Sequence, residues 1–199
     1  NETGAAKAIA DQTLMYSTDD IDGICKYIKE NDVDGVFTGA SEFHLVNAIK
    51  ICEKCGLPFY ANLEQWEVCQ NKYNFKKLCQ KYRVPSVPEY QLENEADIVY
   101  PVIVKPVDGC SARGIKVCNN YQEVLEASNY AKEYSKSQKV IIEKYIENGG
   151  TTVSVRYIIV DGELYLEAVG DRYVLDANNG KALITAGAFY PSKYVDYYI

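Results

Sequence analysis

A lysine at the end of an apolar strand, followed by a loop of small residues, is the part of this sequence best suited to chemistry. Residues 102–104 form a β-branched run typical of a buried strand, so Lys105 leaves the sheet from a fixed support. Gly109 and Gly114 allow the loop backbone to approach a ligand closely. Backbone N–H groups, the Ser111 hydroxyl and the Lys105 ammonium could together hold phosphate oxygens. A β-hairpin with a solvated lysine is equally compatible with these residues alone.

A second strand-like segment, residues 140–146, could bind the base of a nucleotide. Its first half is apolar and typical of a buried strand, and it turns polar at Glu143 and Lys144. Where such a strand ends, a carbonyl and an N–H in succession match the donor and acceptor edge of adenine, with Tyr145 and Ile146 as apolar cover. The alternative is an ordinary edge strand whose charges lie in water.

Together the two segments resemble the ATP-grasp superfamily, whose members carry a K-P loop and, some tens of residues later, a hinge of the E-K-Y-I type. The loop here is Lys105-Pro106-Val107-Asp108-Gly109 with Ser111 and Gly114, and the hinge is Glu143-Lys144-Tyr145-Ile146. The segment that begins Asn71-Lys72-Tyr73 and reaches residues 83–88 resembles the family's D-K-x opening before G-[IV]-P-x-P. Segments 170–173 and 189–192 resemble a carbamoyl-phosphate-synthase-like subgroup.

The resemblance implies the roles of individual residues. ATP is the expected nucleotide, with its phosphates contacted by Lys72 and Lys105. The loop that carries Gly109, Ser111 and Gly114 is expected to close as a lid, and the hinge to bind adenine. Mg²⁺ is the expected metal, with its ligands beyond residue 199 and none assigned within this chain.

Arg172 is a candidate catalytic residue that would contact the γ-phosphate or an acceptor carboxylate. The alternative is a strand-edge arginine paired with Asp171 or Glu167. The resemblance implies that four cations gather on one anionic ligand: Lys72, Lys105, Lys144 and Arg172.

The activity that the resemblance implies is ATP-dependent ligation of a small carboxylate to an amine through an acyl phosphate. Two alternatives stay open. One is a nucleotide-binding module without chemistry, and the other is an α/β binding or redox protein that uses Cys52 and Cys55. Because Leu45, Ile49 and Cys52 share one face of a helix expected over residues 41–55, packing of Cys52 in the core is favoured.

Composition restricts the class of protein. The 21 basic and 28 acidic residues give a net charge of −7, which argues against a broad nucleic-acid surface. The sequence contains no apolar run near the length that a membrane span requires, and its start does not read as a signal peptide. An odd number of cysteines, seven, suits the reduced thiols of a cytoplasmic protein.

The predicted fold class is α/β in three parts. Residues 1–66 are expected to form a partial Rossmann-like, pre-ATP-grasp parallel sheet that lacks its first strand, with strands at 14–16, 33–37 and 59–60 between helices. Residues 67–146 are expected to hold the linker helix and the small lid subdomain of an α+β ATP-grasp domain. Residues 147–199 would begin its central antiparallel sheet, with a hairpin turn at Asp161-Gly162, and end before the final strands.

Overall fold

The computed structural model describes residues 4–39, 41–110, 112–147, 151–176 and 183–199. The chain divides into two compact units, residues 1–70 and 71–199. The first unit contains α1 (Ile21–Glu30), α2 (Glu42–Cys55) and α3 (Leu63–Gln70), preceded by a short 3₁₀ turn at Ala5–Ala8. The helix expected over residues 41–55 is confirmed as α2. None of the helices in the described part of the chain is long and apolar enough to cross a membrane.

Capping residues fix the ends of α1 and α2. The Asp20 carboxylate accepts a hydrogen bond from the Gly23 N–H at 2.9 Å and begins α1. Gly56 ends α2 in the left-handed conformation, with φ of 70°. Cys25 and Ile28 of α1 pack against Ile51 of α2 to form the core of this unit.

The predicted parallel sheet of residues 1–66 is corrected by the structure. Segments 14–16, 33–37 and 59–60 take part in no strand pairing in the described part of the chain, where both sheets are antiparallel. Two of the apolar residues that favoured a strand, Val33 and Val36, instead pack partly buried against the core of the α1–α2 pair. The α/β class itself is confirmed.

The second unit opens with α4 (Lys72–Lys81) and a four-stranded antiparallel sheet. Its strands are β1 (Glu89–Tyr90), β2 (Val102–Pro106), β3 (Lys116–Cys118) and β4 (Val140–Lys144), in the order β1-β4-β2-β3. Helix α5 (Tyr121–Lys132) packs on one face of this sheet. The strand that carries Lys105, its antiparallel partner and the hinge strand are all confirmed.

The pleat of this sheet separates its side chains into two faces. Val102, Val104 and Ile142 point toward α5 and are buried in one core with its Val124 and Ala127. Since successive residues of a strand point to opposite faces, Lys105 and Glu143 lie on the face away from α5. The register places Ile103 opposite Glu143 on the neighbouring strand, which brings Lys105 and Glu143 within reach of each other.

A second sheet contains β5 (Thr151–Val160), β6 (Glu163–Asp176) and β7 (Leu183–Phe189), paired in that order. The predicted hairpin turn is confirmed, because Asp161 and Gly162 have φ of 52° and 83° and join β5 to β6. Strand β7 was not predicted. The small side chains of residues 185–188 give β7 little of the alternating pattern that indicates a strand.

Candidate functional site

Helix α4 presents Lys72 and Lys76 one turn apart, and residues at this spacing share a helix face. Asn71 caps the helix, since its side chain accepts two N–H groups of the first turn. The Lys72 N–H donates to the Val107 carbonyl at 3.1 Å. The Lys72 ammonium donates to the carbonyls of Val107 at 3.3 Å and Gly109 at 3.2 Å. Lys72 is therefore held beside the loop that follows Lys105.

Glu143 is the centre of an ion-pair cluster on the face of the sheet away from α5. Only 6% of Glu143 is exposed. Its Oε2 pairs with the Lys105 ammonium, and its Oε1 pairs with the Lys76 ammonium at 2.8 Å. Lys76 also lies 3.5 Å from the Glu89 carboxylate and donates to the Val87 carbonyl at 2.8 Å. One ion-pair cluster with two carboxylates, those of Glu143 and Glu89, thus links α4, β1, β2 and β4.

The electrostatics of this cluster favour an anion. Burial raises the pKa of Glu143, but hydrogen bonds and charge from Lys105 and Lys76 outweigh it and lower the pKa below its ordinary value of 4.5. Glu143 is therefore ionised at neutral pH. Lys105 and Lys76 thus supply two ammonium groups to the one carboxylate of Glu143, in a protein whose net charge is −7.

At the end of β4, the hydrogen-bond pattern between β4 and the residue before β1 is incomplete. The Lys144 N–H donates to the Pro88 carbonyl at 2.9 Å, but Pro88 has no N–H to return to the Lys144 carbonyl. The next residue turns the other way, and the Tyr145 N–H donates to the Pro101 carbonyl at 3.0 Å. By the alternation of strand backbone, the Lys144 carbonyl and the Ile146 N–H point to the same side. A carbonyl and an N–H in this arrangement match the predicted adenine contacts.

The small residues of the loop are required by close packing. A Cβ added to Gly109 would overlap the ring of Pro106, and one added to Gly114 would lie 3.0 Å from the Tyr134 side chain. Gly114 also has φ of 73°, which a side chain would strain. The loop backbone can therefore lie close to its support only with glycine at both positions. Ser111, the predicted hydroxyl of this loop, lies outside the described residues.

Asp108 ties the start of this loop to the connection between α5 and β4. Its Oδ1 accepts from the Ser135 hydroxyl at 2.6 Å, and its Oδ2 accepts from the Ser137 N–H at 2.9 Å. Burial raises the pKa of Asp108, but these hydrogen bonds outweigh it and lower the pKa below its ordinary value of 3.8. Asp108, Cys110 and Arg113 border a surface pocket of about 350 Å³ at this junction.

We expect Asp108→Asn to reduce the free energy of unfolding at pH 7 by about 1 kcal/mol, since Asp108 accepts two hydrogen bonds but is only partly buried. Because folding lowers the pKa of Asp108, its stabilisation is present above the unfolded value of 3.8 and is lost as the pH falls through the lower folded value. Urea unfolding of both proteins from pH 7 downward should therefore converge in acid. Asp97→Asn, at an exposed carboxylate, is the matched control. A difference that persists unchanged below the folded pKa would contradict the assignment.

Lys144 does not join the other predicted cations. Its ammonium donates to the carbonyls of Val99 at 3.3 Å and Tyr100 at 2.9 Å. Because Lys144 follows Glu143 directly in β4, its side chain lies on the α5 face, opposite Lys105. The predicted gathering of four cations on one ligand is therefore wrong for Lys144, whose backbone alone remains placed for a ligand.

Arg172 lies on β6, and its guanidinium contacts the Thr185 hydroxyl of β7. The predicted alternative, a pair with Asp171 or Glu167, is wrong. Asp171 accepts instead from the Ser192 hydroxyl at 2.6 Å, and Glu167 pairs with Arg156 at 3.4 Å. The catalytic role of Arg172 stays a prediction.

Lys76 is the residue that sequence reasoning missed. Its spacing of four from Lys72 was a signal for a shared helix face. Most lysines on helices are exposed, however, so the spacing alone did not distinguish Lys76 from a solvated side chain. Only the register of β4 against β2 reveals the carboxylate that it meets.

The redox alternative finds no support in the position of Cys52. The residue is 1% exposed, and burial raises the pKa of its thiol. A reactive cysteine requires the opposite, an accessible thiol with a lowered pKa. The predicted packing of Cys52 in the core is confirmed.

Residues 66–174, more than half of the chain, match the family model described as D-ala D-ala ligase C-terminus. The chain therefore belongs to this family and, with it, to the ATP-grasp superfamily.

Curated relatives agree with this assignment. A formate-dependent phosphoribosylglycinamide formyltransferase of Sulfurisphaera tokodaii is 29% identical over 169 residues, which is 77% of this chain and 41% of the relative. A D-alanine–D-alanine ligase of Fusobacterium nucleatum is 34% identical over 88 residues, or 44% of this chain and 28% of the relative. The chain thus spans less than half the length of these relatives.

Solved structures show the same fold. An ADP complex of N5-carboxyaminoimidazole ribonucleotide synthetase superposes with a TM-score of 0.73 and 22% identity, covering 97% of this chain and 50% of the other. The biotin carboxylase domain of 2-oxoglutarate carboxylase from Hydrogenobacter thermophilus, solved with MgADP, ADP and bicarbonate, gives 0.70 and 20%, covering 90% and 44%. At these identities the similarity establishes the fold alone.

Proposed function

We propose that this chain supplies the nucleotide site of an ATP-dependent ligase that joins a small carboxylate to an amine. The observation that carries the proposal is the placement of two lysines about one loop: Lys105 of β2 pairs with Glu143, and the Lys72 ammonium donates to the Gly109 carbonyl of the loop that follows Lys105. The membership in the ATP-grasp superfamily supports the choice of ATP as the nucleotide.

The residues present fit a nucleoside triphosphate. Lys72 and Lys105 would contact the phosphates. Each is held by a different element, Lys72 by α4 and Lys105 by β2, so both can contact one ligand. The loop with Gly109, Ser111 and Gly114 would cover the phosphates, with its backbone N–H groups and the Ser111 hydroxyl as donors.

Adenine would bind at the hinge formed by Glu143, Lys144, Tyr145 and Ile146. The Lys144 carbonyl would accept from the exocyclic amine, and the Ile146 N–H would donate to the adjacent ring nitrogen. Ile146 is 58% exposed and available as apolar cover for the ring. Glu143 would contribute through the lysines that it holds rather than by contact with the base.

The proposed reaction has two steps. The γ-phosphoryl group passes from ATP to a carboxylate oxygen, which yields ADP and an acyl phosphate; an amine nitrogen then attacks the carbonyl carbon, and phosphate leaves. Charge neutralisation by Lys72 and Lys105 would stabilise the transferring phosphoryl group. Arg172 is proposed for the γ-phosphate or the acceptor carboxylate, and Mg²⁺ is proposed to bind through ligands beyond residue 199.

Two finer assignments also belong to the proposal. A cytoplasmic location is supported by seven cysteines that are all free. The carbamoyl-phosphate-synthase-like subgroup rests on the resemblance of segments 170–173 and 189–192.

Hydroxylamine trapping tests the reaction class. The intact protein would be incubated with MgATP, hydroxylamine and panels of amino acids and other small carboxylates, and both ADP release and hydroxamate formation would be measured. An acyl phosphate is captured by hydroxylamine, so a carboxylate substrate should give both products in equal amounts. Nucleotide binding without carboxylate-dependent ADP release would favour the binding module without chemistry, and absence of nucleotide binding would contradict the proposal altogether.

A further inference from the structure

Lys76 is more deeply buried than the lysine assigned to phosphate. Its side chain is 12% exposed, against 24% for Lys105. It has three oxygen acceptors around it: Glu143 at 2.8 Å, Val87 at 2.8 Å and Glu89 at 3.5 Å. An ammonium so completely satisfied has no donor position directed away from the cluster, so Lys76 is poorly placed to contact a nucleotide itself.

The two oxygens of Glu143 are divided between two lysines. Oε1 pairs with Lys76 and Oε2 pairs with Lys105, while the carboxylate side chain is 8% exposed. A buried carboxylate that loses all its cations is strongly disfavoured. When Lys105 leaves Glu143 to bind a phosphate, Glu143 must therefore keep another cation as its partner. Lys76 already contacts Glu143 and can serve as that partner.

We propose that Lys76 is a positioning residue, a permanent counter-ion of Glu143 that allows Lys105 to leave this carboxylate and bind phosphate. The inference rests on the proposed function, because it assumes that Lys105 receives the phosphates of a nucleotide. In the free protein Glu143 holds Lys105 against the sheet, and on binding Lys105 exchanges one anion for another. Lys76 acts through Glu143 and makes no contact with the nucleotide.

Binding of MgADP to the intact protein, measured by isothermal titration calorimetry, tests this role. Lys76→Met is expected to weaken MgADP binding at least about tenfold, because Lys105 becomes the only partner of a buried carboxylate and its transfer is opposed. Lys76→Arg, which keeps the charge, should stay within about threefold of wild type. The matched control is Lys77→Met at the next, exposed position of α4, which should leave the affinity unchanged.

The double variant Lys76→Met/Glu143→Gln separates positioning from direct contact. A neutral amide needs no counter-ion, so the affinity should return to within about threefold of wild type. If Lys76 contacted phosphate directly, removing the charge of Glu143 would not replace the lost contact. Glu143→Gln alone should bind MgADP more tightly than wild type, since Lys105 then has no competing anion. This variant keeps Lys76 and tests the inference even if Lys76→Met fails to fold.

Three results would overturn the inference: an affinity of folded Lys76→Met within twofold of wild type, no recovery in the double variant, or a tenfold loss in Glu143→Gln alone. Each presupposes that the wild-type protein binds MgADP, so each leaves the proposed function standing. Absence of wild-type binding would overturn both together. The wild-type titration therefore distinguishes the two failures.

Discussion

Lys105→Met is expected to lower ATP-dependent turnover by roughly 10²–10³-fold, the size of effect seen when a preorganised charge at a reacting centre is removed. Lys105 is the next-to-last residue of β2 and follows three buried residues, so its position is set by the sheet rather than by solvent. The charge is thus in place before the phosphoryl group moves, and methionine keeps the length of the side chain while removing that charge. The measurement is steady-state ADP release with the carboxylate found by hydroxylamine trapping.

The fold should tolerate this substitution, because Glu143 keeps Lys76 as a partner at 2.8 Å. Lys116→Met is the matched control. Lys116 lies on the neighbouring strand but on the α5 face, where its ammonium is 4.8 Å from the centre of the Tyr130 ring. Both variants change the net charge equally, so a general electrostatic effect would appear in both. Equal losses of turnover, or a loss below threefold in Lys105→Met, would show that Lys105 does not serve the phosphates.

Ile142→Ala should reduce the free energy of unfolding by about 2–5 kcal/mol, the range for truncating a large aliphatic side chain in a packed core. Ile142 is 3% exposed and lies in β4 between β1 and β2, within the core that includes Val104 of β2 and Val124 of α5. The cavity cannot collapse readily, because strands border it on both sides and α5 covers it. Urea unfolding of the wild type and the variant, followed by circular dichroism, gives the difference.

Ile159→Ala removes the same atoms from a side chain that is 71% exposed on β5. It should change the stability by no more than about 0.5 kcal/mol. The contrast isolates burial, since residue type, strand conformation and lost volume are the same. Comparable losses in the two variants would contradict the placement of the core between the first sheet and α5.

Local features of the fold could be predicted from the sequence because they depend on neighbouring residues. The Asp20 cap, the Gly56 stop and the Asp161-Gly162 turn each satisfy a backbone requirement within a few positions. The strand that contains residues 102–104 could be predicted equally well, because β-branched residues favour β-strands over other secondary structure. The resemblance to a known superfamily then joined elements that are distant along the chain.

Features that depend on register could not be predicted. Whether Glu143 or Lys144 shares a face with Lys105 is decided by which residues of β4 and β2 lie opposite each other, and a shift of one residue would exchange them. The partnership of Lys76 with Glu143 follows from the same register and was missed for the same reason. The strand expected over residues 33–37 was wrong for a different reason, because Val33 and Val36 pack partly buried against the α1–α2 core without strand pairing.

The proline opposite the hinge bears on which nucleobase the site accepts. Because Pro88 has no N–H to donate to the Lys144 carbonyl, this oxygen can pair with a ligand that donates, and a ligand that accepts would pair with the Ile146 N–H. Adenine carries a donor and an acceptor in that order, whereas guanine presents a carbonyl where adenine has its amine. In the proposed site, main-chain atoms would therefore determine the preference for ATP over GTP. Substitution of a side chain at the hinge would not change this preference directly.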